Sequence, residues 1–202
     1  MLVAAALGQV FGRPPVVVGG TAQQYWLSDR YYATDLDLCP RPSLEDEAEL
    51  RVLGFRKEGR HWVRDDLASG FEFPGSGDDI ADDRTVLVEV QGVSATVIGL
   101  EDLYLDRLRQ STANERAPED ATMRTVVGLA VAWAGRLDAA YVQVRIRQAA
   151  KEEPMVGAAM ARQQRRAARL ARRALAVERA RQLLEPPSPQ EPEGPGPGSI
   201  GV

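Results

Sequence analysis

The spacing of apolar and polar residues changes along the 202-residue chain, and each change marks an element. Leu2 to Phe11 reads as a short helix that ends before Pro14-Pro15. Val16-Val17-Val18 is a β-branched run of the kind found in strands, stopped by Gly19-Gly20. Thr21 to Leu27 suits a helix, with Thr21 near its start. Thr34-Asp35-Leu36-Asp37-Leu38 alternates polar and apolar as a half-buried strand does, and Pro40 and Pro42 end it. Leu44 to Leu53 is a helix followed by Gly54, a residue that favours helix termination. Phe55 to Arg64 reads as a hairpin turning at Glu58-Gly59. Phe71-Glu72-Phe73 is a short strand stopped by Pro74-Gly75. Val86 to Val90 and Ala95 to Ile98 form a second hairpin around Gln91-Gly92.

Beyond Leu100 the period becomes helical. LEDLYLDRLRQ carries Leu100, Leu103, Leu105 and Leu108; a second helix runs from about Pro118 to Gly135; a third starts near Asp138. Residues 155–184 form one long Ala/Arg helix whose stripe of Ala167, Leu170, Ala171, Ala174 and Val177 is weak, so it is expected to be loosely docked or free. From Pro186 the chain is rich in Pro and Gly with almost nothing apolar, a composition that does not fold. The order of elements indicates an α+β (α/β) fold with a helical C-terminal part. The expected division is a core of residues 1–110, a helical part 111–150, the basic helix 151–185 and a disordered tail 186–202.

Composition narrows the function classes. One Cys (Cys39) and one His (His61) exclude an internal disulfide and a Cys/His zinc site. No signal peptide and no span of the roughly 20 apolar residues that a bilayer needs is seen, so a soluble, cytoplasmic protein without membrane association is expected. Charge is unevenly placed: residues 1–150 hold 16 basic against 23 acidic side chains, whereas residues 151–184 hold 9 against 3. An acidic body does not attract nucleic acid in bulk, and a triphosphate bound to it needs cations.

One segment carries chemistry: VVVGGTAQQYWLSDRYYATDLDL. A strand ending in two glycines at a helix start offers backbone amides and a positive dipole end to an anion. Asp35 and Asp37 stand at i and i+2 of a strand and project to the same side. Two adjacent carboxylates call for a cation, and Mg²⁺ takes one or two carboxylates plus substrate phosphates.

The segment resembles the signature of the DNA polymerase β-like nucleotidyltransferase superfamily: a hydrophobic strand, Gly-Gly or Gly-Ser, a spacer, then Asp-hydrophobic-Asp. Within it, the chain looks most like bacterial AbiEii-type toxin nucleotidyltransferases. Gly19-Gly20-Thr21-Ala22, Thr34-Asp35-Leu36-Asp37, Leu53-Gly54-Phe55, Phe71-Glu72-Phe73-Pro74 and Glu101-Asp102-Leu103 carry that likeness, over about residues 10–130. Where those relatives tend to have a Lys and then an Asp, Arg107 and Asp120 are nearest. The resemblance implies a mixed sheet flanked by helices and Mg²⁺ (or Mn²⁺) held by Asp35, Asp37 and a third carboxylate. Glu72 is preferred for the third, and Glu89 competes by the same alternation. It also implies an NTP whose phosphates lie at Gly19, Gly20, Thr21 and Arg107, transfer of NMP to a hydroxyl of RNA or protein, and an antitoxin partner.

Plainer readings stand beside these. His61 is expected to be a surface hairpin residue, Cys39 a buried small side chain, and Asp78, Asp79, Asp82 and Asp83 an acidic loop over the pocket mouth. Tyr25, Trp26, Tyr31 and Tyr32 read as core and rim, with Tyr31 or Tyr32 also able to meet a base. The recurrent Arg162, Arg165, Arg166, Arg169, Arg172 and Arg173 make either a solvated face, an RNA-backbone contact or a dock for an acidic protein surface. Two further functions stay open: a catalytically silent module that binds RNA or a partner through this helix, and a transferase acting on a small molecule of the aminoglycoside type.

Overall fold

The computed structural model describes residues 1–28, 33, 35–113 and 121–184. Its centre is a mixed sheet of seven strands in the order β3-β4-β5-β2-β1-β7-β6. The strands are β1 (Val16–Val18), β2 (Leu36–Cys39), β3 (Arg56–Glu58), β4 (His61–Val63), β5 (Phe71–Glu72), β6 (Val86–Val90) and β7 (Val93–Val97). β1 runs parallel to β7 and β2 parallel to β5; the other pairs are antiparallel.

Alternation decides which face each strand buries. Val17 pairs with Leu38, Leu36 with Phe71, and Phe71 with Trp62, and all five are buried. Phe71 stacks edge-on against Phe55 and Phe73, a geometry aromatic pairs prefer. The intervening residues Asp37, Glu72 and His61 therefore stand on the opposite face.

Helices α1 (Leu2–Val10), α2 (Gly19–Leu27) and α3 (Leu44–Val52) come from the front half. Ser43 caps α3 reciprocally with Asp46, as its sequence position suits. Helix α2 begins at Gly19, two residues earlier than its sequence suggests, so it starts directly where β1 stops. The hairpin of β3 and β4 turns at Gly59-Arg60, since Glu58 pairs with His61; this is one residue beyond the expected turn.

The back half is helical: α4 (Leu100–Ala113), α5 (Ala121–Ala132), α6 (Ala139–Glu152) and α7 (Pro154–Leu184). The expected start of α5 at Pro118 and the tail from Pro186 lie outside the described residues. Trp26 links the halves, donating from Nε1 to the Ile98 carbonyl at 2.9 Å while its own carbonyl accepts from Trp133 Nε1 at 2.8 Å.

The long basic helix is not free. Met160, Gln163, Ala167 and Ala171 are buried against α4, α5 and α6, and Gln163 Nε2 donates to the Ser111 carbonyl at 3.2 Å. Small residues let the backbones approach, so a weak apolar stripe still docks. Beyond Ala171 the docking ends: Val177 is 64% exposed. The closest approach is at Gly157, where an added Cβ would overlap the backbone of Ala150 in α6. Gly157→Ala is accordingly expected to cost about 2 kcal/mol by forcing the two helices apart, read as a lower urea midpoint.

Among the described residues no helix is long and apolar enough to cross a membrane.

Candidate active site

The sheet face that does not form the core opens on a cleft of about 720 Å³. Gly19, Gly20, Asp35, Asp37, Glu72 and Arg60 line it from the sheet, and Asp106, Arg107, Arg145, Gln148 and Glu152 from α4 and α6.

The strand register brings the acids together. Asp37 lies opposite Glu72 on the neighbouring parallel strand, and His61 lies opposite Glu72 on the next strand. The three form one lateral row on one face of three strands. Asp35 sits in a bend just before β2 rather than in the strand, and Thr34 lies outside the described residues. Even so, Asp35 joins the row: its Oδ2 is 4.0 Å from His61 Nε2, which is 3.8 Å from Glu72 Oε2. Asp35, His61 and Glu72 each offer one ligand atom within 4.8 Å of the others.

The glycine turn is tied to the same acids. Gly20 N donates to Asp37 Oδ2 at 3.2 Å, and the Thr21 hydroxyl donates to the Asp35 carbonyl at 2.9 Å. Thr21 thus fixes the Asp35 bend and does not line the cleft, a different position from the phosphate contact expected of it. Gly19 has φ 58, and a Cβ there would overlap the Asp37 carboxylate. Only a glycine leaves room for the acid beside the helix start.

Burial pushes the Asp37 carboxyl up to about 6, against the lowering effect of the Gly20 amide; Asp35 and Glu72 add to the rise. An acid held partly out of water beside two others is a site that lacks positive charge. Glu72 is buried, and its Oε2 forms an ion pair with Arg60, whose Nε lies 2.8 Å away.

Other expected residues fall as follows. Glu89 is on the edge strand β6, three strands from β2, and accepts from the Ser94 hydroxyl at 2.5 Å. Arg107 lines the cleft; its Nη1 donates to Gln110 at 2.8 Å, while its buried Nε has no hydrogen-bond partner among the described residues. A buried unpaired N–H costs about 1–3 kcal/mol and is a donor that an anion would satisfy. Asp78 and Asp79 line the mouth, whereas Asp82 and Asp83 form a 3-10 turn away from it. Cys39 is buried and also borders the cleft. Tyr31, Tyr32 and Asp120 lie outside the described residues. Asp102, from the Glu-Asp-Leu motif, is buried and holds the mouth loop: it accepts from Ala81 N at 3.0 Å and from the Tyr141 hydroxyl at 2.7 Å. Arg145 completes that anchor by donating to the Asp79 carbonyl at 2.9 Å.

Sequence reasoning missed two members of the cluster, Arg60 and His61. The signal was available: Trp62 is apolar, so His61 and Val63 share the other face of β4.

The fold is an α+β nucleotidyltransferase-like architecture, and a carboxylate row stands beside its glycine turn. Two solved structures are similar to it to different degrees. An antigenic nucleotidyltransferase-like protein from Paracoccidioides brasiliensis superposes with a TM-score of 0.50 at 12% identity, over 79% of this chain and 90% of that one. The antibiotic-resistance factor ANT(2'')-Ia gives a TM-score of 0.49 at 16% identity, over 76% of this chain and 94% of that one. At such identity the likeness concerns the fold. No protein-family model matches the sequence, and no curated protein matches it at a significant level.

Proposed function

We propose that this chain is a divalent-cation-dependent nucleotidyltransferase that moves NMP from an NTP to a hydroxyl acceptor. The observation that carries the reading is the convergence of Asp35, Asp37 and Glu72 beside the Gly19-Gly20 helix start, inside one cleft. The donor set fits Mg²⁺ or Mn²⁺: hard carboxylate oxygens, one raised by burial, at a turn where a Cβ would fill the space. A cation held there supplies charge neutralisation of phosphates and a lowered pKa for the attacking hydroxyl.

The chain's own groups then have assigned work. Asp35, Asp37 and Glu72 are the cation ligands. The N-terminus of α2 faces the cleft and favours the β- and γ-phosphates through its dipole. Thr21 acts through Asp35, holding the bend that aims its carboxylate. The Nε of Arg107, buried without a hydrogen bond and 3.7 Å from Asp106 Oδ2, takes a phosphate oxygen from the opposite wall, a contact that needs a fixed guanidinium and no proton transfer.

For the acceptor, RNA is favoured by α7. Met160 of that helix borders the cleft, and exposed Arg165, Arg169, Arg172 and Arg173 continue outward from it, a spacing that suits successive phosphates. A toxin role with an antitoxin partner follows from the AbiEii resemblance and is part of the same reading. One observation favours a second acceptor: Asp106 and Glu152 line the wall across from the carboxylate row, and they would hold a small cationic hydroxyl compound.

The test is transfer of label from each NTP to total RNA, to protein or to an aminoglycoside, with Mg²⁺ or Mn²⁺. Loss of transfer in both Asp35→Ala and Asp37→Ala supports the enzyme. No transfer from any NTP, with RNA retention that survives both variants and vanishes on removing 155–184, supports the silent module instead.

Arg60 competes for Glu72 with any cation. Because its side chain is 73% exposed, the pair is weak. Arg60→Ala is expected to raise divalent-cation affinity about threefold, measured by titration calorimetry.

A further inference from the structure

We infer that His61 is a direct ligand of the bound cation, so that the site prefers Mn²⁺ over Mg²⁺. This rests on the nucleotidyltransferase reading and goes beyond its three-carboxylate donor set.

The argument is one of position. His61 is opposite Glu72 in register, and its Nε2 lies 3.8 Å from Glu72 Oε2 and 4.0 Å from Asp35 Oδ2. Neighbouring ligands around an ion at about 2.1 Å are roughly 3.0 Å apart, and opposite ligands about 4.2 Å. The observed separations fall between these limits, so small side-chain rotations close the shell without moving a strand. The imidazole is partly enclosed, at 35% exposure, and its Nε2 lies within 4.0 Å of both carboxylates. Asp37, one strand over and outside this trio, accepts from Gly20 N and stands opposite Glu72.

Two neighbours bear on these oxygens. Arg60 sits on the same Glu72 oxygen, so an ion must displace a guanidinium; that side chain is long and mostly exposed and has room to swing. Asp35 has other interactions that also shape its position.

The chemistry follows from the donor set. An all-oxygen site suits Mg²⁺ and Mn²⁺ alike. Exchange of one oxygen or water for an imidazole nitrogen favours first-row transition ions over Mg²⁺, which binds nitrogen poorly and sheds water reluctantly.

The experiment uses the full chain and Mn²⁺ alone as probe. Electron spin-echo spectroscopy of bound Mn²⁺ reads coupling to a ligand ¹⁴N, and loss of the free Mn²⁺ signal gives affinity with and without competing Mg²⁺. His61→Ala and His61→Gln are both measured, the second keeping a polar side chain of similar reach; Asp37→Asn reports the carboxylate site. The expected result is nitrogen coupling in the natural chain that is absent from both His61 variants, with the Mn²⁺-over-Mg²⁺ preference falling about tenfold. Mn²⁺ binding that needs Asp37 but shows no nitrogen coupling, or an unchanged preference in the His61 variants, overturns the inference and leaves the three-carboxylate reading standing. Absence of Mn²⁺ binding, or binding indifferent to Asp37→Asn, overturns both.

Discussion

Asp37→Asn is expected to reduce nucleotidyl transfer about 10³-fold or more while making the ion-free protein more stable at pH 7. The first effect follows from removing a proposed charged ligand from the carboxylate row, since cation stabilisation of transferring phosphates is worth several kcal/mol. The second follows from the raised acidity constant. Burial holds the Asp37 carboxyl at about 6, above its ordinary 3.8. The folded protein therefore binds this proton more tightly than the unfolded chain does. Its contribution to stability is complete below pH 3.8 and is lost as pH rises through about 6. At pH 7 the folded state carries an ionised group that it would rather hold neutral. Asparagine keeps the shape and removes the charge. Because the carboxyl is only about half buried, solvent screening reduces the gain to about 1 kcal/mol, or roughly 3 °C in Tm for a chain of this size. Thermal melts of both proteins between pH 4 and pH 8, in chelator, check this. The natural chain should lose stability across pH 4–6 relative to the variant. Added Mn²⁺ should reverse the order at pH 7, since the ion stabilises only the protein that retains the ligand.

What the sequence made legible was whatever short-range pattern determines. Leu36 and Leu38 flank Asp37, so burial of the first two dictates where the acid points. Gly19-Gly20 after three valines announces a strand turning into a helix. Position within the sheet is another matter. Glu72 and Glu89 have the same apolar neighbours on each side, and alternation treats them alike. They are separated only by sheet order, which sets β5 beside β2 and β6 at the far edge, and pairing between distant segments cannot be read from either segment alone. His61 shows the same limit: alternation with Trp62 gives its face, but only the pairing of β4 with β5 sets it opposite Glu72. The basic helix shows the limit of judging burial by hydrophobicity. Ala167 and Ala171 offer little apolar area, yet both are buried, because small side chains admit close approach and a buried Gln163 supplies a hydrogen bond across the contact.

Gly19→Ala is expected to damage fold and site together, by about 3 kcal/mol, and the cause can be separated into two parts. The backbone at Gly19 has φ 58, where an L side chain is strained by about 1 kcal/mol. In addition, the new Cβ would overlap the Asp37 carboxylate, so either the acid or the start of α2 must shift. Gly12→Ala measures the first part alone, because Gly12 has φ 64 with nothing within 4 Å of an added Cβ. Gly19→Asn distinguishes the two differently: asparagine tolerates positive φ but still meets Asp37, so it should rescue little. A double-mutant cycle closes the argument. In an Asp37→Gly background the collision partner is gone, and Gly19→Ala should then cost only about as much as Gly12→Ala, leaving a coupling of roughly 2 kcal/mol. Urea unfolding of the four proteins measures it. A coupling near zero would mean that the glycine serves the turn alone, and that the acid is not held against the helix start to which the proposed triphosphate site is assigned.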